Sequence, residues 1–250
     1  DYPNTIIMEL VNRCNLECPF CKQWFRNDAK KTTIDDHILD HLFDDFKKNQ
    51  LNSLMISASE PLLYKKIDKV LERAKEAEIM DVFLFTNGTL LNEKNAKIIL
   101  DSSITRLFIS VDGATKETYD KVRIPVAKRL YQTNRLQDLE DNILRFMKLR
   151  SELKRELPLV RLSFVAINEN KEEIQEFVNK WTGIVDTVEI QKNITPSFEM
   201  NTKNEKENIK DWYKTLGEEM NTENRITDHL KKYSCREPWS QMSIYSDGSI

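Results

Sequence analysis

The sequence predicts an α/β fold built on a parallel sheet, because short strand patterns alternate with longer helical patterns along most of the chain. Six short runs are largely apolar, and most of them carry β-branched residues, as buried parallel strands do. These runs are residues 5–10, 54–57, 82–85, 106–110, 159–165 and 187–191. Six strand–helix repeats imply right-handed crossovers, but they fall short of the eight units of a closed barrel. The residues alone therefore leave two alternatives, an open or partial barrel and a doubly wound sheet.

Helical patterns follow the predicted strands. In residues 34–48, and again in 64–77, apolar side chains recur at helical spacing and form one stripe. Asn92 stands at the N-cap position of the third predicted helix, over 92–100. The remaining predicted helices cover 136–153, 171–181 and 205–220.

The composition is that of a globular protein without a strongly basic surface. The 250 residues are 40% hydrophobic and 32% charged, and the net charge is −3. This balance gives no argument for nucleic acid or a membrane surface as a partner. No apolar run approaches the ~18 residues that span a bilayer, and no secretory signal opens the chain. Three of the four cysteines are clustered, unlike a secreted disulfide framework, so we expect a reducing, cytoplasmic location.

The clustered cysteines, Cys14, Cys18 and Cys21, follow the first predicted strand with the spacing C-x3-C-x2-C. Three thiolates from one loop can hold three corners of a cubic iron–sulfur cluster and leave the fourth iron open to a ligand. Zinc is the alternative, and it usually requires two cysteine pairs, or a cysteine pair with a histidine pair. The other candidate ligands are Cys235, His37, His41 and His229. None of them completes such a set convincingly, so the spacing favours a cluster.

Residues 12–21 resemble the cluster loop of the radical S-adenosylmethionine (radical SAM) enzymes, including the Cys-Asn-Leu opening and the aromatic Phe20 before the last cysteine. The resemblance implies a partial (β/α)6 TIM-like barrel with its chemistry at the carboxyl ends of the strands. It implies that Cys14, Cys18 and Cys21 ligate a [4Fe–4S] cluster. It also implies that Phe20 lies near the adenine of S-adenosylmethionine.

The loops after the second and third predicted strands contain further matches. Residues 57–63 resemble the family's Gly-Gly-Glu-Pro motif, which binds the methionyl amino group; Glu60 matches, whereas Ala58 and Ser59 replace the glycines. Backbone carbonyls remain available there, but we expect the freedom of glycine at positive φ to be lost. Taken alone, Glu60 is equally compatible with the first turn of a helix. Asn87, in the run Thr-Asn-Gly, is similar to the family's third strand end and is a candidate cofactor-binding residue.

After the fourth predicted strand, residues 109–123 resemble the family stretch in which a serine and a downstream arginine hold the cofactor's carboxylate. The resemblance assigns these roles to Ser110 and Arg123. A hydroxyl and a guanidinium can both donate hydrogen bonds to a carboxylate, so the residue types fit. Asp112 is as compatible with organising the local turn as with touching a ligand. Gln191, at the end of the sixth predicted strand, is expected to help complete the adenine and ribose pocket.

The C-terminal residues resemble the opening of SPASM, an extension that carries auxiliary clusters. Cys235 and Gly248 have the spacing of that motif, so Cys235 is a candidate auxiliary ligand, and a hairpin is predicted to start near Met242. We expect the chain to hold this extension only in truncated form. The predicted division is a partial barrel over 1–195, a linker and helix completing it over 196–234, and the start of the extension over 235–250.

The resemblance implies an oxidoreductase-like enzyme. A reduced cluster would cleave S-adenosylmethionine to a 5′-deoxyadenosyl radical, which abstracts a substrate hydrogen. SPASM relatives modify peptides or oxidise sugar-like alcohols, so a peptide or small-molecule substrate is expected, as is an auxiliary Fe–S cluster in the full-length protein. The expected electron donor is of flavodoxin or ferredoxin type. The alternative is a non-catalytic zinc-binding or regulatory barrel that retains these loops, and the replaced glycines are the best sequence reason for it.

Overall fold

A parallel sheet and the helices that connect its strands make up the computed structural model, which describes residues 2–21, 31–127, 133–192 and 240–250. The strands in this part of the chain are β1 (Thr5–Met8), β2 (Ser53–Ile56), β3 (Asp81–Thr86), β4 (Arg106–Ser110), β5 (Leu159–Ala166), β6 (Thr187–Lys192) and β7 (Gln241–Ile244). The helices are α1 (Asp36–Lys48), α2 (Ile67–Glu76), α3 (Glu93–Asp101), α4 (Lys116–Val122), α5 (Arg135–Glu152) and α6 (Ile174–Trp181). None of the helices in the described ranges is long and apolar enough to cross a membrane.

The strand order distinguishes between the two predicted architectures. It is β6-β5-β4-β3-β2-β1-β7, and each neighbouring pair is parallel. From β1 to β6 every connection moves one position in the same direction, so right-handed crossovers place all the helices on one face. A doubly wound sheet would instead reverse direction at a switch point. The prediction of a partial, TIM-like barrel is therefore confirmed.

All six predicted strands are present, and their ends differ from the predicted ends by at most two residues. The sequence missed helix α4, which lies inside the stretch that we interpreted only as a family motif. Thr115 caps this helix, since its hydroxyl accepts a hydrogen bond from the Thr118 N–H at 3.3 Å. The helix predicted over 205–220 lies outside the described residues.

The core lies between the sheet and the helices. On β2, Leu54 and Ile56 are fully buried, whereas Met55 between them is half-buried, because alternate strand residues face opposite sides of the sheet. Val70 and Leu71 of α2 belong to the same core as the two buried residues. This packing holds the strands in register, and it brings their carboxyl ends to one edge.

Strand β7 begins next to Met242, where the first strand of a hairpin was predicted, and the sequence did not predict its partner. It pairs in parallel with β1, and the Glu9 N–H donates to the Ile244 carbonyl at 2.9 Å. The pairing satisfies the outer edge of β1, which would otherwise expose unpaired backbone groups, and it buries Ile244. A turn follows, in which the Gly248 N–H donates to the Tyr245 carbonyl at 2.9 Å.

Part of the predicted C-terminal organisation lies beyond what the structure describes. Cys235 and residues 196–234 are outside the described ranges. The auxiliary ligand and the division of the chain at 195 and 234 therefore stay predictions.

Gly88 supports a turn that no other residue fits well. Its φ is +72°, and a Cβ atom would lie 2.5 Å from Leu139 Cδ1 and 2.8 Å from Ile109 Cγ2. We expect Gly88→Ala to lower the free energy of unfolding by about 2–4 kcal/mol, through left-handed backbone strain and overpacking. Urea denaturation of the purified chain measures this loss.

Gly183 is a matched control for Gly88. Its φ is +82°, yet a Cβ atom added there would have no neighbour within 4 Å. Gly183→Ala should therefore lose only the backbone contribution, about 1 kcal/mol. Equal losses in the two variants would contradict the steric argument at Gly88.

Candidate functional site

The three-cysteine loop leaves the carboxyl end of β1 and is attached to the segment that follows α4. The Glu17 N–H donates to the Ile124 carbonyl at 2.7 Å, and the Val126 N–H donates to the Asn15 carbonyl at 3.1 Å. Residues that are distant in the sequence thus determine the path of the loop. The loop is held by the backbone, which leaves its thiols available.

The thiols of Cys14, Cys18 and Cys21 are all free, with Cys18 buried and the other two half-buried. Burial raises the pKa of Cys14 to about 11. Burial also raises the pKa of Cys18, and the nearby Arg123 guanidinium opposes that rise. Such thiols are poor free nucleophiles, whereas a bound metal would displace their protons. Within the described residues, no group of three or more His, Cys, Asp or Glu side chains is arranged to hold a metal ion.

Hydrogen-bond donors from three elements approach the sulfur atoms. The Leu16 N–H lies 3.4 Å from Cys14 Sγ, and Asn87 Nδ2 lies 3.6 Å from the same sulfur. Arg123 Nη1 lies 3.6 Å from Cys18 Sγ. Donors of this kind stabilise negative charge on ligand sulfurs. The donor set therefore fits a thiolate-bound cluster.

The loop after β2 corrects the expectation about its missing glycines. Ala58 has φ +66° and Ser59 has φ +49°, so both residues keep the left-handed backbone that glycine adopts without cost. For residues with a Cβ this conformation costs about 1–2 kcal/mol each. Strain of this kind concentrates at functional sites, where the surrounding structure compensates for it.

Glu60 follows these two residues and is completely buried. One carboxylate oxygen accepts from the Leu62 N–H at 3.1 Å and from Thr86 Oγ1 at 2.7 Å. The other accepts from the Asn87 N–H at 2.8 Å. Burial raises the Glu60 pKa, and these three hydrogen bonds oppose the rise. Glu60 thus caps the turn Pro61–Leu63 from the preceding position, rather than lying in the first turn of a helix, and it joins the ends of β2 and β3.

Ser59 and Arg123 each have a buried side-chain polar atom without a hydrogen-bond partner within the described residues. These atoms are the hydroxyl oxygen of Ser59 and Nε of Arg123. A hydroxyl oxygen can accept from an ammonium, and a guanidinium N–H can donate to a carboxylate. The two unsatisfied atoms therefore suit the two charged ends of an amino acid, such as the methionyl part of S-adenosylmethionine.

Arg123 is held in place by Asp112, with which it forms a buried ion pair. Asp112 has φ +64°, and its other carboxylate oxygen accepts from the Val165 N–H at 2.7 Å. Burial raises the Asp112 pKa, and the attraction of Arg123 opposes this rise. Asp112 thus organises the turn and positions the arginine.

The remaining predicted site residues are Phe20, Ser110 and Gln191. The Phe20 ring lies 5.7 Å from the Arg123 guanidinium carbon. Ser110 ends β4, in register with Ser163 of β5. Gln191 is exposed on β6 and donates to Glu189 at 2.7 Å, so its hydrogen bond leads along its own strand rather than toward the cysteine loop.

Several residues that organise the site were missed by the sequence interpretation. Asn15 and Thr89 connect the cysteine loop to the end of β3. Asn170 donates to the Asp112 carbonyl at 3.0 Å, and Glu173 accepts from the Ala114 N–H at 2.7 Å. Asn15 lies inside the cysteine-loop motif, and Thr89 directly follows the Thr-Asn-Gly run. These two motifs could therefore have identified both residues as parts of the site. Asn170 and Glu173 lie at the start of the helical segment after β5, where the sequence predicts a helix, but no motif marks them as site residues.

Glycine at position 58 would test the strain in this loop. We expect Ala58→Gly to raise the free energy of unfolding by about 1 kcal/mol, because the left-handed penalty exceeds the entropy cost of glycine. Ala77→Gly is the control, since Ala77 has an ordinary φ of −79° and should lose up to about 1 kcal/mol. A loss of stability in both variants would contradict strain at position 58. Thermal or urea unfolding supplies the comparison.

Comparison with known proteins identifies the family. A family model described as the Radical SAM superfamily matches residues 8–180. The probable GTP 3′,8-cyclase of Methanococcus maripaludis is 28% identical over 117 residues, which are 47% of this chain and 39% of that protein. The chain thus spans well under half the length of this curated relative.

Solved structures share the fold. Streptococcus suis SuiB bound to the precursor peptide SuiA has a TM-score of 0.67 at 17% identity, over 99% of this chain and 58% of that one. Native anSMEcpe with bound AdoMet has a TM-score of 0.63 at 18% identity, over 98% and 72%. At such identities the likeness concerns the fold alone.

Proposed function

Because the chain belongs to the radical SAM superfamily, we propose that it binds a [4Fe–4S] cluster and S-adenosylmethionine at the carboxyl ends of its strands. One observation carries the proposal. The cysteine loop contacts two other parts of the site. The Arg13 carbonyl accepts from the N–H of Glu60, which follows the strained pair 58–59, at 3.3 Å, and Cys18 Sγ lies 3.6 Å from Arg123 Nη1. The cysteine loop is therefore next to both the proposed ammonium-binding loop and the proposed carboxylate donor.

We assign each of these residues a role in binding the cluster or the cofactor. Cys14, Cys18 and Cys21 hold the cluster through three irons. Ser59 and the carbonyls of its loop accept from the methionyl ammonium, while Arg123, with Ser110, donates to the methionyl carboxylate. Phe20 lies beside the guanidinium and lines the nucleoside side of the site. When bound, the cluster and cofactor supply one-electron cleavage of S-adenosylmethionine to a 5′-deoxyadenosyl radical that abstracts a substrate hydrogen.

The proposed substrate is a peptide, which is modified or oxidised, in preference to a sugar-like alcohol. SuiB, whose fold matches over 99% of this chain, is described with a bound precursor peptide, and this favours the peptide. An auxiliary Fe–S cluster with Cys235 as a ligand would accept the electron left on an oxidised product. A flavodoxin- or ferredoxin-type protein would supply the first electron.

Anaerobic reconstitution followed by reduction with dithionite tests the proposal. We expect a brown protein with four irons and four sulfides per loop site, and release of methionine and 5′-deoxyadenosine from S-adenosylmethionine. Deuterium transfer from labelled peptides into 5′-deoxyadenosine then identifies the substrate class, with GTP and sugar alcohols as comparison substrates. A colourless protein with one tetrahedral zinc would overturn the proposal and support the non-catalytic barrel.

A further inference from the structure

Asn87, at the end of β3, has every polar atom of its side chain engaged. Its Oδ1 accepts from the Thr89 N–H at 3.0 Å and from Thr89 Oγ1 at 2.6 Å. Its Nδ2 donates to Asn15 Oδ1 at 2.8 Å and lies 3.6 Å from Cys14 Sγ. The residue is only 6% exposed. These contacts use both amide protons and both carbonyl lone pairs.

The network also determines which way the amide faces. Asn15 Nδ2 donates to Thr89 Oγ1 at 2.8 Å, so the Thr89 hydroxyl proton is free to point at Asn87. That hydroxyl and the Thr89 N–H both require an acceptor, which places the Asn87 oxygen toward Thr89. A flipped amide would set N–H groups against these two donors. The Asn87 NH2 group must therefore face Asn15 and the sulfur of Cys14.

From this geometry we infer that Asn87 is a positioning residue that donates a fixed N–H···S hydrogen bond to Cys14 and raises the reduction potential of the cluster. The inference rests on the proposed function. Reduction adds an electron whose charge spreads onto the ligand sulfurs, and a donor aimed at one sulfur stabilises the reduced state. The Asn87 side chain then has no free polar atom for S-adenosylmethionine, so we propose the sulfur contact in place of a side-chain role in cofactor binding.

The inference predicts the potential of two variants in the reconstituted protein, measured by redox titration followed by electron paramagnetic resonance. Asn87→Leu removes the donor at similar volume, so its midpoint potential should be more negative than that of the wild type. Asn87→Asp replaces the donor with a carboxylate and should shift the potential further in the same direction. The affinity for S-adenosylmethionine of Asn87→Leu should stay close to the wild-type value.

Asn142 provides the matched control. Its Nδ2 donates to the Gly88 carbonyl at 3.1 Å and to the Thr89 carbonyl at 3.5 Å, and its Oδ1 accepts from Arg145. Asn142→Leu therefore removes hydrogen bonds from the same turn without touching a sulfur. Its potential should equal that of the wild type. An unchanged potential in Asn87→Leu at full cluster occupancy, or an equal shift in Asn142→Leu, would overturn the inference. A loss of cofactor affinity with no change in potential would also overturn it.

A measurement on the wild type covers the case in which the Asn87 variants fail to assemble a cluster. Exchange into D2O should shift the Fe–S(Cys) stretching bands in resonance Raman spectra, because the N–H protons of Asn87, Leu16 and Arg123 that face the sulfurs are replaced by deuterons. Unshifted bands after full exchange would count against the hydrogen bond. A wild-type protein that binds no cubane at all would instead reject the proposed function, and that outcome is distinguished by its iron and sulfide content.

Discussion

Cys18→Ala is expected to abolish assembly of the cubane cluster. The loop offers three thiolates for a cluster that already lacks a fourth protein ligand, so losing one leaves two. Cys18 is also the most buried of the three and the one that Arg123 contacts. Since removing even an outer-shell partner of a metal costs 10–100-fold in affinity, we expect less than about a tenth of the wild-type iron to remain. Iron and sulfide analysis after anaerobic reconstitution provides the measurement.

Cys235→Ala is the matched control, because it removes a thiol from the same chain without changing the loop. It should retain the loop cluster and should still cleave S-adenosylmethionine. A Cys18→Ala protein with full iron and sulfide that also cleaves the cofactor would show that the loop is not the cluster site.

Arg123→Ala is expected to lower the free energy of unfolding by about 3–5 kcal/mol, because it leaves the buried carboxylate of Asp112 without its charged partner. The side chains of this pair are 9% and 0% exposed, so water cannot replace the lost interaction. Urea denaturation of the purified chain measures the loss. In cluster-loaded protein the same variant should also bind S-adenosylmethionine more weakly, because the cofactor's carboxylate loses a donor.

Arg73→Ala is the control for the buried pair. Arg73 also pairs with an aspartate, Asp40, but the two side chains are 25% and 56% exposed. Exposed pairs contribute about 0–1 kcal/mol, so the control should lose little. Similar losses in both variants would contradict a special role for burial. The double variant Asp112→Asn with Arg123→Met should recover much of the stability, since it leaves no unpaired charge. Asparagine tolerates the left-handed backbone at this position, and its side-chain oxygen can still accept from the Val165 N–H.

The fold was largely predictable from local patterns. Strands such as β4 (Arg106–Ser110) were found from short apolar runs, because burial on both faces of a sheet requires them. The spacing of Cys14, Cys18 and Cys21 likewise predicts one loop with three thiols, since neighbours in sequence stay neighbours in space. Helix α4 was missed because so short a helix contains too little periodicity to distinguish it from a loop.

The amino-acid order by itself thus determined the strand–helix alternation, the cysteine loop and its position after the first strand. The tertiary structure alone decided that Ala58 and Ser59 keep a glycine-like backbone, that β7 pairs with β1, and that Asn87 turns its amide toward Cys14. Each of these depends on partners that are distant in the sequence. Glu60, beside the strained loop, reaches Thr86 only after β2 and β3 have paired, and Asn87 is oriented by Asn15 from the cysteine loop. Local propensity cannot encode such contacts, because the free energy that selects them exists only once the sheet has assembled.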